Sequence, residues 1–198
     1  IFFIKMIYKY IINFFTIIII FTLFSCQKVE ILDDIVFDYD QLPKITISAE
    51  SKYIKEIYQT QFMEPYIDHS LEIPPLQHFK NWISSNLEII GSENYININI
   101  INASLTKLLV NNEDAKSYQE KKIFKYEIIF VVEYILYDDS KNILAKTLAE
   151  SKNSVTSSKF VSLFESERIV DNLVLEGLKD FTKKSNELLK EHMFQFLI

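Results

Sequence analysis

From residue 43 onward the chain switches between two hydrophobic periods. Ile45, Ile47 and Ala49 alternate with Thr46 and Ser48, the two-residue rhythm of a half-buried strand, and predict a first strand from Lys44 to about Ile57. Residues 58–75 hold Pro65, Pro74 and Pro75 and read as a connecting loop. Leu76, Phe79, Trp82, Ile83, Leu87 and Ile90 then recur at spacings of three and four. They make one stripe of a helix that Pro75 opens and Gly91 closes in a left-handed cap. Tyr95–Ile100 alternates isoleucine with asparagine, and its phase slips at Ile100-Ile101, where a β-bulge carries the strand on towards Val110. In the long strand 123–137, Phe124, Tyr126, Ile128, Phe130, Val132, Tyr134 and Leu136 share one face, with Lys125, Glu127 and Glu133 on the other. Residues 138–142 make a hairpin turn, and Ile143 to about Ser154 pairs back. Ser162-x-x-Glu165 fits a capping box for a last helix reaching Phe196, some 35 residues and about 50 Å long.

These elements predict an α+β fold of order β-α-β-β-β-α. It is a two-layer sandwich: a four-stranded antiparallel-type sheet with two helices on one face. The aromatic row Phe124, Tyr126, Phe130 and Tyr134 is read as core beneath the helices; a lipid-lining cleft is the rarer alternative. Gly177 lies on the apolar stripe of the last helix, where a close-packing point is expected.

Residues 1–25 follow neither period. Lys5 and Lys9 precede an apolar run from Ile11 to Phe24, shorter than the roughly 20 residues of a membrane span. Positive start, apolar core and a small residue before a cut have the shape of a secretory signal, and Met6 is a plausible true start. The organisation expected is a signal peptide over 1–25, an acidic tether over 26–42 with Val36–Tyr39 touching the domain, and one domain over 43–198.

Composition narrows the chemistry. Residues 26–198 carry 19 basic and 27 acidic side chains, a formal charge of −8, with Arg168 the single arginine. Such a chain is a poor phosphate-backbone binder, so no nucleic-acid partner is expected. Gly91 and Gly177 are the only glycines, which excludes a phosphate loop, a dinucleotide fingerprint and a Gly-x-Ser-x-Gly nucleophile elbow. Cys26 stands alone, so no internal disulfide and no cysteine-based zinc site can form. Neither cofactor nor metal is expected.

Leu23, Ser25 and Cys26 resemble a bacterial lipoprotein box, with Phe24 in place of the smaller residue usual there. That resemblance implies cleavage between Ser25 and Cys26, a diacylglyceryl group on the Cys26 sulfur and an acylated new N-terminus, palmitate-type chains holding the protein to a membrane. Gln27 after the cysteine favours the outer membrane over the inner, on its periplasmic face. An uncleaved N-terminal anchor helix is the alternative. Lipid box, acidic tether and element order together resemble small Gram-negative periplasmic lipoproteins. Two examples are the lipopolysaccharide-assembly lipoprotein of the outer-membrane translocon and the auxiliary lipoproteins of lipid-transporting ABC systems. A closer resemblance, to an alphaproteobacterial lipoprotein family of no established activity, rests on Phe37-Asp38-Tyr39-Asp40, Leu42-Pro43, Pro65, Asp68-His69, Pro74-Pro75 and Trp82. It implies the architecture and no reaction.

Asp68-His69 is the most enzyme-like pair, yet neighbours in sequence rarely aim at one atom, so a loop-fastening bond from His69 is expected. His78 is expected on the wet side of the first helix, and His192 near the end of the last. Asp33-Asp34 and Asp138-Asp139 are read as solvated turns, since one short pair cannot supply a cation's six oxygens. No catalytic residue is assigned. The expectation is a non-enzymatic, lipid-anchored envelope module with an envelope protein or a lipid as partner. Asp68, His69, Pro74 and Pro75 form its candidate interaction loop. A lipid-binding auxiliary of a transport system, and a hydrolase using Asp68 and His69, are the alternatives.

Overall fold

In the computed structural model the described residues are 35–113, 115–116 and 119–198. The signal peptide, Ser25, Cys26 and Asp33-Asp34 lie outside them. The strands are β1 (Ile45–Ile47), β2 (Ser51–Glu56), β3 (Leu87–Ile89), β4 (Tyr95–Asn111), β5 (Lys122–Tyr137) and β6 (Ile143–Ser157). The helices are α1 (Pro75–Asn86) and α2 (Leu163–His192).

Alternation builds the main sheet, in the order β2-β4-β5-β6. On β5, Tyr126, Ile128, Phe130, Val132, Tyr134 and Leu136 are all buried, and on β4 Ile96, Ile98 and Ile100 face the same core. The register slips between Ile100 and Asn102, so Ala103 and Leu105 regain the buried face; this is the bulge the sequence predicts. Both helices cover this face. Phe79 of α1 and Phe181 of α2 lie 6.3 and 5.7 Å from the Phe130 ring and 5.3 Å from each other. The aromatic row is therefore core, with Phe124 half-buried at its margin. Its hydroxyls are satisfied within it, Tyr134 to Ser185 at 3.1 Å and Tyr126 to Ser166 at 3.0 Å. The opposite face is wet, and Glu127 takes Lys125 and Lys152 while Glu133 takes Lys146.

The sheet is mixed, not of the antiparallel type. β4–β5 and β5–β6 are antiparallel, but β2 runs parallel to β4, from Ser51 opposite Tyr95 to Glu56 opposite Ile100. The reason is the connection: the chain leaves β2, crosses the core face as α1 and re-enters beside β2 in its starting direction. The expected first strand is also two. Residues 48–50 break it, and β1 pairs instead with β3 in a small parallel sheet. Accordingly α1 stops at Asn86, earlier than its apolar stripe suggests, and Leu87 is buried as a strand residue while Ile90 is exposed. Gly91 does not adopt the left-handed conformation; Asn94 does, at φ 68°.

α2 begins as expected, with the Ser162 hydroxyl accepting the Glu165 amide at 3.2 Å. It ends at His192, short of Phe196, after 30 residues or about 45 Å. A single 3-10 turn at Phe194–Phe196 then reverses the chain, so Leu197 bridges Ile47 and the Ser48 amide donates to the Phe196 carbonyl at 2.7 Å. Gly177 is the close-packing point expected. A Cβ there would stand 2.7 Å from Ile128 Cγ2 and 3.6 Å from Phe130. Gly177→Ala gains about 1 kcal/mol of helix propensity and loses about 2 to overpacking. A net loss of about 1 kcal/mol is expected in urea unfolding, whereas an exposed helix glycine would give a gain.

Candidate functional site

The proline-rich loop that carries Asp68 and His69 closes one edge of the sheet. β2 pairs with β4 only as far as Ile100, and the rest of that edge needs other partners. Tyr66 bridges Thr106, the Ile67 amide donates to the Leu105 carbonyl at 2.9 Å, and the Lys107 amide donates to the Pro65 carbonyl at 2.8 Å. Asp68 completes the seal. Fully buried, it accepts the Leu105 amide at 3.0 Å through Oδ1, and through Oδ2 the Tyr58 hydroxyl and the Gln61 amide at 3.4 Å. Burial and this carboxylate together push the Tyr58 phenol well above its ordinary range.

His69 turns the other way. Exposed, its Nδ1 lies 3.0 Å from the Gln61 carbonyl, and Phe62 leans on its ring. The pair thus shares no atom. Asp68 fastens the sheet edge and His69 fastens the loop, in keeping with the bland expectation. Pro74 and Pro75 stand at the head of α1, where the Pro74 carbonyl receives the Gln77 and His78 amides at 2.9 and 3.1 Å.

Sequence reasoning misplaced His78. It is buried, 4% exposed, because residues 37–43 lie over it. Phe37 stacks on the imidazole, with centroids 3.7 Å apart, and the Tyr39 hydroxyl meets Nδ1 at 2.7 Å. Asn81 donates to that hydroxyl at 3.3 Å, an arrangement that lets Tyr39 give its own proton to Nδ1 of a neutral ring. Burial pulls His78 down to about 4. Further along, Asn86 donates to the Tyr39 and Leu42 carbonyls at 2.7 and 2.9 Å, and the Trp82 indole to the Pro43 carbonyl at 3.3 Å. The signal was present in the alternation of Phe37 and Tyr39 with Asp38 and Asp40. Its partner, a histidine on a helix, cannot be picked out by period alone.

The quoted motif residues therefore fall into two groups. Phe37, Tyr39, Leu42-Pro43, Pro74-Pro75 and Trp82 converge on α1, whereas Pro65 and Asp68 close the sheet edge. Two of the clefts among the described residues flank this scaffold. One, of about 580 Å³, lies between residues 36–43 and α2, lined by Val36, Leu42, Leu175, Lys179 and Lys183. The other, of about 470 Å³, lies between β6 and α2 beside Val155, Ile169 and Leu173. Among the described residues no group of three or more His, Cys, Asp or Glu side chains could hold a metal ion. The Asp138-Asp139 turn is spent locally, with Asp138 accepting the Asn142 amide at 2.7 Å; Asn142's hydrogen bonds hold that carboxyl below its ordinary range.

Solved structures do resemble this architecture. One is a minor lipoprotein from Acinetobacter baumannii, 8% identical, with 72% of this chain and 96% of that one covered at a TM-score of 0.40. Another is the rare lipoprotein B from Shewanella oneidensis, 15% identical, with 70% and 94% covered at a TM-score of 0.37. No protein-family model and no curated protein matches the chain. At these identities and scores, neither likeness says what this chain does.

Proposed function

We propose that the chain is a lipid-anchored, non-enzymatic binding module of a bacterial cell envelope, held on the periplasmic side of a membrane by acyl chains on Cys26. The outer membrane is favoured, and the partner is an envelope protein. The observation that carries this reading is how near to Cys26 in sequence the first described contact with α1 lies. Phe37 is already clamped on α1, eleven residues after Cys26 in sequence. Fully extended, that span reaches at most about 40 Å, so a lipid on Cys26 keeps the whole domain near one bilayer surface. Confinement of that kind raises the local concentration of a weak binder at a membrane partner. The acid–histidine pair supports the same reading, since Asp68 is committed to three structural hydrogen bonds.

Cys26→Ser tests it in the full chain expressed in a Gram-negative cell. Palmitate labelling is expected to disappear and the protein to move from the membrane pellet to the soluble fraction. Each buried CH₂ contributes about 0.8 kcal/mol, so loss of two or more acyl chains leaves no residual anchoring. Unchanged fractionation would overturn the proposal. A second reading, binding of an acyl lipid, is favoured by the 580 Å³ cleft, where Val36, Leu42 and Leu175 stand with Lys179 and Lys183 beside Asp38 and Gln41. Native mass spectrometry showing co-purified phospholipid, lost in Leu175→Asp, would support it.

A further inference from the structure

The two edges of the main sheet are treated in opposite ways. At the β2 side the strand is six residues long, and beyond it Pro65–Ile67 and the Asp68 carboxylate occupy the backbone groups of β4. At the β6 side a fifteen-residue strand with neither proline nor glycine has no strand on its outer side among the described residues. Edges of that length are ordinarily shortened, bulged, covered or broken by proline, because a row of unpaired N–H and C=O groups is a template for another chain. β6 is irregular only at Leu144, and α2 packs on its core face, from which Lys184 lies 3.4 Å from the Glu150 oxygen; from Ala145 onward its ladder with β5 is regular.

The side chains along this edge are self-complementary. Leu144, Lys146, Leu148, Glu150 and Lys152 point to the wet face, and all are exposed, Leu148 by 50% and Leu144 by 41%. Lys146 pairs with Glu133 and Lys152 with Glu127 within the chain, whereas Glu150 has no ion pair among the described residues. A second β6 laid antiparallel about a two-fold axis at Leu148 sets Leu148 against Leu148 and each Lys146 against the Glu150 of the other copy. Each lysine then lies between its own Glu133 and the second copy's Glu150. A register centred half-way between Leu148 and Glu150 sets Lys146 against Lys152 and is repelled.

We infer that β6 is a homodimer interface: a second copy of this chain adds its β6 antiparallel, centred on Leu148, to make one continuous sheet across both copies. Regular overlap runs from Ala145 to Ser151, about 24 Å of strand. An isologous contact of this kind closes at two copies, so the exposed edge is used up and no fibre grows. The inference stands apart from the lipid at Cys26, since it concerns only the folded unit.

The test is native mass spectrometry and sedimentation of the full chain released from nonionic detergent, with circular dichroism to verify each variant's fold. The wild type is expected at twice the chain mass. Lys146→Glu and Glu150→Lys, which oppose like charges twice across the axis, are each expected to weaken association by roughly tenfold or more. The double swap is expected to restore it. Leu148→Lys, at a half-exposed position outside the core, sets two ammonium groups on the axis and is expected to give monomer even where Lys146→Glu fails to fold. A wild type that stays monomeric at about 100 µM overturns the inference. So does a dimer that ignores all three single changes, or a folded double swap that does not recover.

Discussion

Asp68→Ala is expected to cost about 4 kcal/mol of stability and to lower the thermal midpoint by about 10 °C or more. The carboxylate is fully buried, and its removal leaves the Leu105 amide and the Tyr58 hydroxyl without acceptors. An orphaned buried donor costs roughly 1–3 kcal/mol, and two are created together. Asp68→Asn keeps one acceptor oxygen but turns an NH₂ towards one of the two donors, so about half the loss is expected there. His69→Ala touches one exposed bond to Gln61 and is expected to cost less than about 1 kcal/mol. Urea unfolding separates the three variants, and hydrogen exchange at Leu105 reports the sheet edge directly. A hydrolase built on this pair would behave the other way, with His69→Ala abolishing turnover while stability stayed intact. Near-neutral stability of Asp68→Ala would refute the edge-sealing role.

Acidification from pH 7 to about 4 is expected to remove on the order of 3 kcal/mol of stability through His78 alone. Unfolded, this imidazole takes its proton near pH 6.5; folded, burial delays protonation to about 4. Between those values the unfolded chain binds the extra proton, so stability falls as acid is added and levels off below about 4. The carboxylates held low by their partners, Glu127 by Lys125 and Lys152 and Glu133 by Lys146, lose their contribution only below the ordinary glutamate value of 4.5. Between pH 7 and 4.5 these two glutamates therefore add no slope, whereas His78 does. In His78→Asn, which keeps an acceptor for Tyr39 and cannot charge, urea midpoints across that window should be flat. An unchanged slope would move the effect to another group.

How far the chain could be read before its structure depended on whether one period dominated. β5 was plain because seven alternate residues are large and apolar, and the β4 bulge because consecutive isoleucines broke that rhythm. Ser162 and Glu165 marked the head of α2 by a local hydrogen bond that needs no tertiary information. β3 was hidden because Leu87 and Ile90 continue the α1 stripe, and three residues satisfy both periods. The split between β1 and β2 was equally invisible, since Ser48 and Glu50 fit the polar side of a single strand. Parallel pairing of β2 with β4 follows from the α1 crossover, which the order of elements alone did not make explicit. His78 could not be placed from its own helix, because what buries it is a segment forty residues earlier. For the candidate loop, the chemistry of Asp68 and His69 was legible as a pair and their divergence was anticipated. That Asp68 would seal β4 required knowing where β2 ends.

The crossover also sets a timetable for folding. β4, β5 and β6 are joined by short connections, so their pairing closes small loops and can proceed at once. β1 and β2 come first among the strands, yet neither has a neighbour until residues 87–100 are in place and α1 has swung across. The strands that lead the fold are thus the last able to settle, and until then the apolar β1, with Ile45 and Ile47, waits without a partner.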